Sequence, residues 1–172
     1  MLHKRDWIYA AAAVLAVTGS MAPQAQAQTP VLSYAAKFVC GTRTSFDYSV
    51  VKGLYETSVN IHNPHFATVQ FRKKAVIAWP QSSPPGPISN IVQEVLQSDQ
   101  ALGVNCPDIR RLFVPSAAGF IEGFLVLYVP DNTPFDVVEV HTARHSGTVT
   151  DGSRDVESID TREVNPQRVI MP

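Results

Sequence analysis

Hydrophobic and polar residues alternate along most of this chain with a period of two. Residues 54–62 set Val59 and Ile61 on one side and Ser58, Asn60 and His62 on the other, the mark of a half-buried strand. Asn63-Pro64 stops that run, because proline has no N–H for a ladder. Residues 68–79 repeat the pattern, with Val69, Phe71, Ala75 and Ile77 against Gln70, Arg72 and Lys74. Lys73 falls on the apolar parity, which predicts a bulge or a strand end beside it. These two runs are expected to form a hairpin turning over residues 63–67. Upstream, residues 36–39 predict a strand that runs into Cys40.

Residues 80–87 hold four prolines, a density no regular element survives. Residues 88–102 fit two templates: a helical stripe of Ile88, Ile91, Val92, Val95 and Leu96, or a strand over 92–96. Leu102, Val104 and Cys106 alternate as a further strand, and residues 108–113 suit one helical turn or a polar connection. Residues 119–129 form the most apolar run after the N-terminus and predict a central strand buried on both faces. After the turn at 130–134, residues 135–142 put Val138, Val140 and Thr142 opposite Val137, Glu139 and His141. A second hairpin is expected there. Residues 146–163 are polar, with an edge strand expected around 158–164.

Several short strands, proline-rich turns and little helix predict an all-β chain, a single antiparallel β-sandwich of immunoglobulin-like or jelly-roll-like type. The expected layout is a signal peptide over 1–27, a leader over 28–34, the sandwich over 35–145 and a polar C-terminal segment over 146–172. The signal peptide follows from its three parts. His3, Lys4 and Arg5 precede the apolar run of residues 8–17, and Ala25-Gln26-Ala27 makes a small-residue cleavage site. Cleavage is expected between Ala27 and Gln28. The apolar run is short for a bilayer span of about 20 residues, and no later segment qualifies. The product is expected to be exported, periplasmic or extracellular.

Composition narrows the partners. The chain has 172 residues, 45% of them hydrophobic and 17% charged, with a formal net charge of −1. There is no basic excess to neutralise phosphates, which argues against nucleic acid. Cys40 and Cys106 are the two cysteines. In an exported protein such a pair is most simply a disulfide.

The layout resembles a family of small exported bacterial β-sandwich proteins of unassigned role. The resemblance rests on Tyr34-Ala35-Ala36-Lys37-Phe38-Val39-Cys40-Gly41, Val59-Asn60-Ile61-His62-Asn63-Pro64, Phe71-Arg72-Lys73-Lys74, Pro85-Gly86-Pro87-Ile88-Ser89 and Asn105-Cys106-Pro107-Asp108-Ile109. Gly119-Phe120, Glu122-Gly123-Phe124 and Asp136-Val137-Val138-Glu139-Val140 continue it. It implies an exported β-sandwich and no particular reaction. The order of an Asn-containing turn, a strand, a Pro-Gly-Pro loop and a late strand ending His141-Thr142-Ala143-Arg144 is also similar to the sensory rhodopsin transducer family of small β-sandwiches. From that likeness only a fold is implied.

Candidate chemistry is sparse. His62, His65 and His141 would make a three-imidazole site for zinc, copper or nickel if the fold brought them together. No G-x-S-x-G, Walker loop or H-E-x-x-H occurs, and the acidic stretch 151–163 lacks a calcium-loop pattern. A hydrolase would need a hydroxyl, a histidine and a carboxylate assembled by the fold. Arg72 and Lys74 share a strand face, as on a solvated sheet or a charge-guarded edge. Phe38, Phe46, Tyr48, Tyr55 and Phe66 supply aromatic surface to a core or a partner. The expected function is therefore non-enzymatic binding or self-association, with a protein partner or a second copy, no cofactor and no nucleic acid. The alternative is a small periplasmic metal-binding protein using His62, His65 and His141.

Overall fold

Alternation becomes strand throughout. In the computed structural model, which describes residues 29–44, 50–147 and 154–171, the elements are β1 (Thr29–Arg43), β2 (Gly53–His62), β3 (Val69–Ile77), β4 (Val92–Leu96), β5 (Ala101–Asn105), α1 (Cys106–Arg111), β6 (Ile121–Pro130), β7 (Asp136–Gly147), β8 (Arg154–Glu163) and β9 (Gln167–Met171). All strand pairs among the described residues are antiparallel. The expected signal peptide, the Ala27–Gln28 junction, Phe46 and Tyr48 lie outside the described residues.

The strands make two layers joined through β1. One layer runs β4-β3-β6-β1-β9 and the other β5-β2-β7-β8. Residues 31–40 of β1 pair with β6, and Gly41 to Arg43 then pair with β2 in the second layer. Gly41 makes the change of layer possible. Its φ is +103°, and a Cβ there would sit 2.7 Å from both Gly119 O and the Arg110 guanidinium, so only glycine fits. Arg110 fixes the bend from outside, donating to the carbonyls of Cys40, Ala117 and Gly119. Between the layers lie Tyr34, Phe38, Phe71, Ile61, Leu125 and Val137, each 2% exposed or less.

Both expected hairpins are corrected. β2 pairs with β5 and β7, and β3 with β4 and β6, so residues 63–67 cross from one layer to the other. The same holds at 130–134: β6 pairs with β1 and β3, and β7 with β2 and β8. In each case two one-sided strands bury their apolar faces against each other across the core instead of lying side by side. Tyr34 pins the second crossing. Its hydroxyl accepts from Phe135 N–H at 2.9 Å and donates to Phe135 O at 3.1 Å.

Other details also differ from expectation. From Thr29 on, the expected leader is strand, because Thr29 to Ser33 are flanked by β9, a partner from the far end of the chain. The polar C-terminal segment thus supplies β8 on the outer edge of one layer and β9 on that of the other. Residues 92–96 take the strand form, and Cys106 opens α1 instead of ending β5. Asn105 caps that helix by accepting from Asp108 N–H, while Asp108 accepts from Asn105 N–H, a reciprocal pair that starts a helix where Pro107 ends a strand. β6 is central but buries one face; the other carries Glu122, Phe124, Val126 and Tyr128. No bulge accompanies Lys73. Register is regular from Val69 to Lys73, and Lys73 points inward, 8% exposed, with its ammonium 2.7 Å from Glu94.

Candidate functional site

Among the described residues, three arrangements gather chemically capable side chains. The first fills a gap. After Ser33, β1 leaves β9, and it does not meet β2 until Gly41. The backbone between would be an open edge over the second layer. Glu139 and Thr57 close it: Lys37 N–H donates to Glu139 Oε2 at 2.6 Å, Val39 N–H donates to Thr57 Oγ1 at 2.9 Å, and that hydroxyl lies 3.1 Å from Val39 O. Thr57 Oγ1 also faces His141 Nδ1 at 2.9 Å, and His141 Nε2 lies 3.4 Å from Glu139 Oε1. Hydroxyl, imidazole and carboxylate are therefore contiguous, the set a hydrolase would need. Yet Thr57 is 2% exposed, and its oxygen is already engaged by both backbone groups of Val39. The trio does a strand's work with side chains.

Removing the hydroxyl alone tests this. Thr57→Val keeps shape but leaves Val39 N–H and C=O without their partner. A loss of about 2 kcal/mol is expected from unsatisfied buried groups, read as a lower urea midpoint. Thr57→Ser should recover most of it. A neutral Thr57→Val would mean that water serves Val39 equally well.

The second arrangement gathers the layer crossings at one end. His62 Nδ1 lies 3.0 Å from Asp136 Oδ2, and Nε2 lies 3.0 Å from Asp99 Oδ1. Asp99 takes a φ of +58°, the left-handed region that aspartate tolerates in turns. His65 Nε2 meets Pro134 O at 2.7 Å. Hydrogen bonds from Asp136 and then Asp99 raise the His62 pKa above the usual imidazole value, against a smaller lowering by desolvation. A raised folded-state pKa stabilises the fold fully below the unfolded value of about 6.5. That contribution is lost as pH rises through the folded value. The wild-type melting temperature should thus exceed that of His62→Gln by more at pH 5.5 than at pH 8.5. The imidazole is 37% exposed, so the difference is small. Equal differences at both pH values would refute the assignment.

The three histidines singled out from the sequence do not converge. β2 and β7 are neighbours, but His62 stands opposite Asp136 and His141 opposite Thr57. They are separated by five strand positions, about 17 Å at ~3.3 Å per residue. Among the described residues no group of three or more His, Cys, Asp or Glu side chains is placed to hold a metal ion. Cys40 and Cys106 are joined in a disulfide, and Thr57 N–H donates to Cys106 Sγ at 3.2 Å.

The third arrangement is apolar and lies on β4 and the segment between β3 and β4. Trp79 is 52% exposed, Ile88 63%, Ile91 52% and Val95 49%. Trp79 and Ile88 line a groove of about 490 Å³ with Phe113, Val114 and Phe120. Ile88 is held there because residues 87–89 continue the edge of β3: Ile77 N–H donates to Pro87 O, Ser89 N–H to Ala75 O, and Ala75 N–H to Ser89 Oγ. The aromatic residues named earlier divide. Phe38 is buried, Tyr55 packs edge-on against Phe120 at 5.8 Å, and Phe66 is fully exposed. Arg72 and Lys74 face outward, on a strand covered by β4 on one side and β6 on the other, with Lys74 5.3 Å from the Tyr128 ring centre.

Thr57, Glu139 and Asn63 were not among the site residues expected from the sequence. For Glu139 a signal existed: it shares parity with Val137, so a polar group sits on a core-facing position. Comparison with protein-family models, with curated proteins and with solved structures finds no match for this chain.

Proposed function

We propose that this chain is an exported β-sandwich that acts by binding, with a second copy or another protein as partner, and without catalysis of its own. The carrying observation is a set of four large apolar side chains on β4 and the segment between β3 and β4, Trp79, Ile88, Ile91 and Val95, each between 49% and 63% exposed. Isolated exposed apolar residues are ordinary, but Trp79 and Ile88 share one groove with Phe113, Val114 and Phe120, and grouped apolar surface marks an interaction site. Export is supported by the charged, apolar and Ala-x-Ala parts of residues 1–27. The Cys40–Cys106 bond suits an oxidising compartment. No helix among the described residues is long and apolar enough to cross a membrane.

Two measurements test the proposal. Intact mass of the exported protein, with and without reductant and alkylating reagent, should give a chain starting at Gln28 with no thiol labelled before reduction. Light scattering and affinity capture from a periplasmic extract should then compare wild type with the Trp79→Ser/Ile88→Lys variant. Association or capture that the variant loses is the expected result. A monomer that recovers no partner, or association that the variant leaves unchanged, would sink the binding role of these residues.

A further inference from the structure

Among the described residues, four strands end the two layers: β4 and β9 in one, β5 and β8 in the other. A free strand edge offers unpaired backbone groups, and proteins usually guard it with charge, proline or irregularity. β8 carries Asp160, Arg162 and Glu163. β9 follows Pro166 and carries Arg168, which is paired with Asp131. β5 shows small or polar groups outward, at Ala101, Gly103 and Asn105. β4 has no such guard. Its single charge, Glu94, turns inward to Lys73. Gln93 and Val95 stand outward, preceded by exposed Ile91.

We propose that β4 pairs with β4 of a second copy, antiparallel, about a two-fold axis at Gln93. This rests on the binding role proposed above and names its partner. In an antiparallel pair, opposed residues project to the same face, so positions on the two strands must match in parity. Three registers are then close alternatives. With Glu94 on the axis, two carboxylates oppose each other, which is unfavourable. With Val92 on the axis, Ile91 meets Gln93 and Val95 falls opposite Ser89. With Gln93 on the axis, Ile91 of each copy meets Val95 of the other, Gln93 meets Gln93, and inward Val92 meets Glu94, whose charge Lys73 already matches. That register alone pairs both exposed apolar residues with each other. Gln93 now donates to Gln70 Oε1 at 3.0 Å, and its amide retains donor and acceptor capacity for its copy.

The register gives a direct test. Sedimentation of the exported protein should show a concentration-dependent dimer. Opposed residues of an antiparallel pair lie about 4.5–5.5 Å apart at Cα, within disulfide reach. Gln93→Cys should therefore form a reducible covalent dimer under mild oxidation. Val95→Cys should not, since that residue and its copy are about 13 Å apart. Val95→Lys should weaken the dimer by roughly thirtyfold, because symmetry removes the Ile–Val pair twice. A dimer that survives Val95→Lys, with no bridge at Gln93→Cys, overturns the β4 pairing while leaving the binding role intact. A monomer at every concentration also overturns it, and the role then stands or falls on partner capture.

Discussion

Replacing both cysteines, as Cys40→Ala/Cys106→Ala, is expected to lower stability by about 4 kcal/mol. The two residues are 66 apart in sequence, and closing a loop of that length restricts the unfolded chain by about that much in the entropy model. A folded-state part adds to it, because Cys106 Sγ accepts the buried Thr57 N–H. The bond also has a mechanical place. Cys40 sits one residue before the Gly41 bend, where β1 leaves one layer, and Cys106 opens α1 after β5 of the other. With Cys40 unexposed and Cys106 at 6%, reductant should reach the bond slowly in the folded state. Domains of this size are stable by about 5–15 kcal/mol, so the variant should show a markedly lower urea midpoint. A loss below about 1 kcal/mol would mean that packing alone holds the layers together.

The core strands were legible because each of them buries one face, and one-sided burial writes a period of two into the sequence. Val59 and Ile61, or Val69 through Ile77, could be assigned to a core without knowing what they faced. Which strands pair was not legible, since the same alternation serves a hairpin and a crossing equally. The Asn63-Pro64 and Pro130–Pro134 turns look like hairpin turns locally. They become crossings through contacts made far away, by Asn63 to residues 96–97 and by Phe135 to Tyr34. The pairing of residues 29–33 with β9 was hidden for the same reason. The gap in β1 is likewise a property of the assembled sheets, so the work of Thr57 and Glu139 had no local trace beyond a carboxylate on an apolar parity. The Cys40–Cys106 link was the long-range contact open to inference, because there the chemistry of two residues limits the choice.

Asn63→Ala should cost nearly as much as the disulfide, about 3–4 kcal/mol. Asn63 is fully buried, and its amide nitrogen lies 2.8 Å from Ala67 O, 3.2 Å from Leu96 O and 2.9 Å from Gln97 O. Its Oδ1 accepts His65 N–H at 3.1 Å. Its own backbone donates to Gln100 O and accepts from Asp99 N–H. One side chain thus ties the β2–β3 crossing to the β4–β5 turn. Alanine keeps the backbone bonds but strips three carbonyls and one N–H of their partner, at roughly 1 kcal/mol or more for each group that water cannot reach. Asn63→Asp separates bonding from space filling. It keeps the volume but turns an acceptor toward three carbonyl oxygens, so it should destabilise at least as much as alanine. A mild Asn63→Asp beside a severe Asn63→Ala would show that the residue only fills a hole. Amide exchange adds a local signature: Asp99 N–H should lose protection in Asn63→Ala before β6 or β7 does, because the turn loosens first. Asp99 is also one of the two carboxylates that hold His62. Loosening it should shrink the pH-dependent difference between the His62 and His62→Gln proteins, which couples the buried amide to the exposed imidazole through one turn.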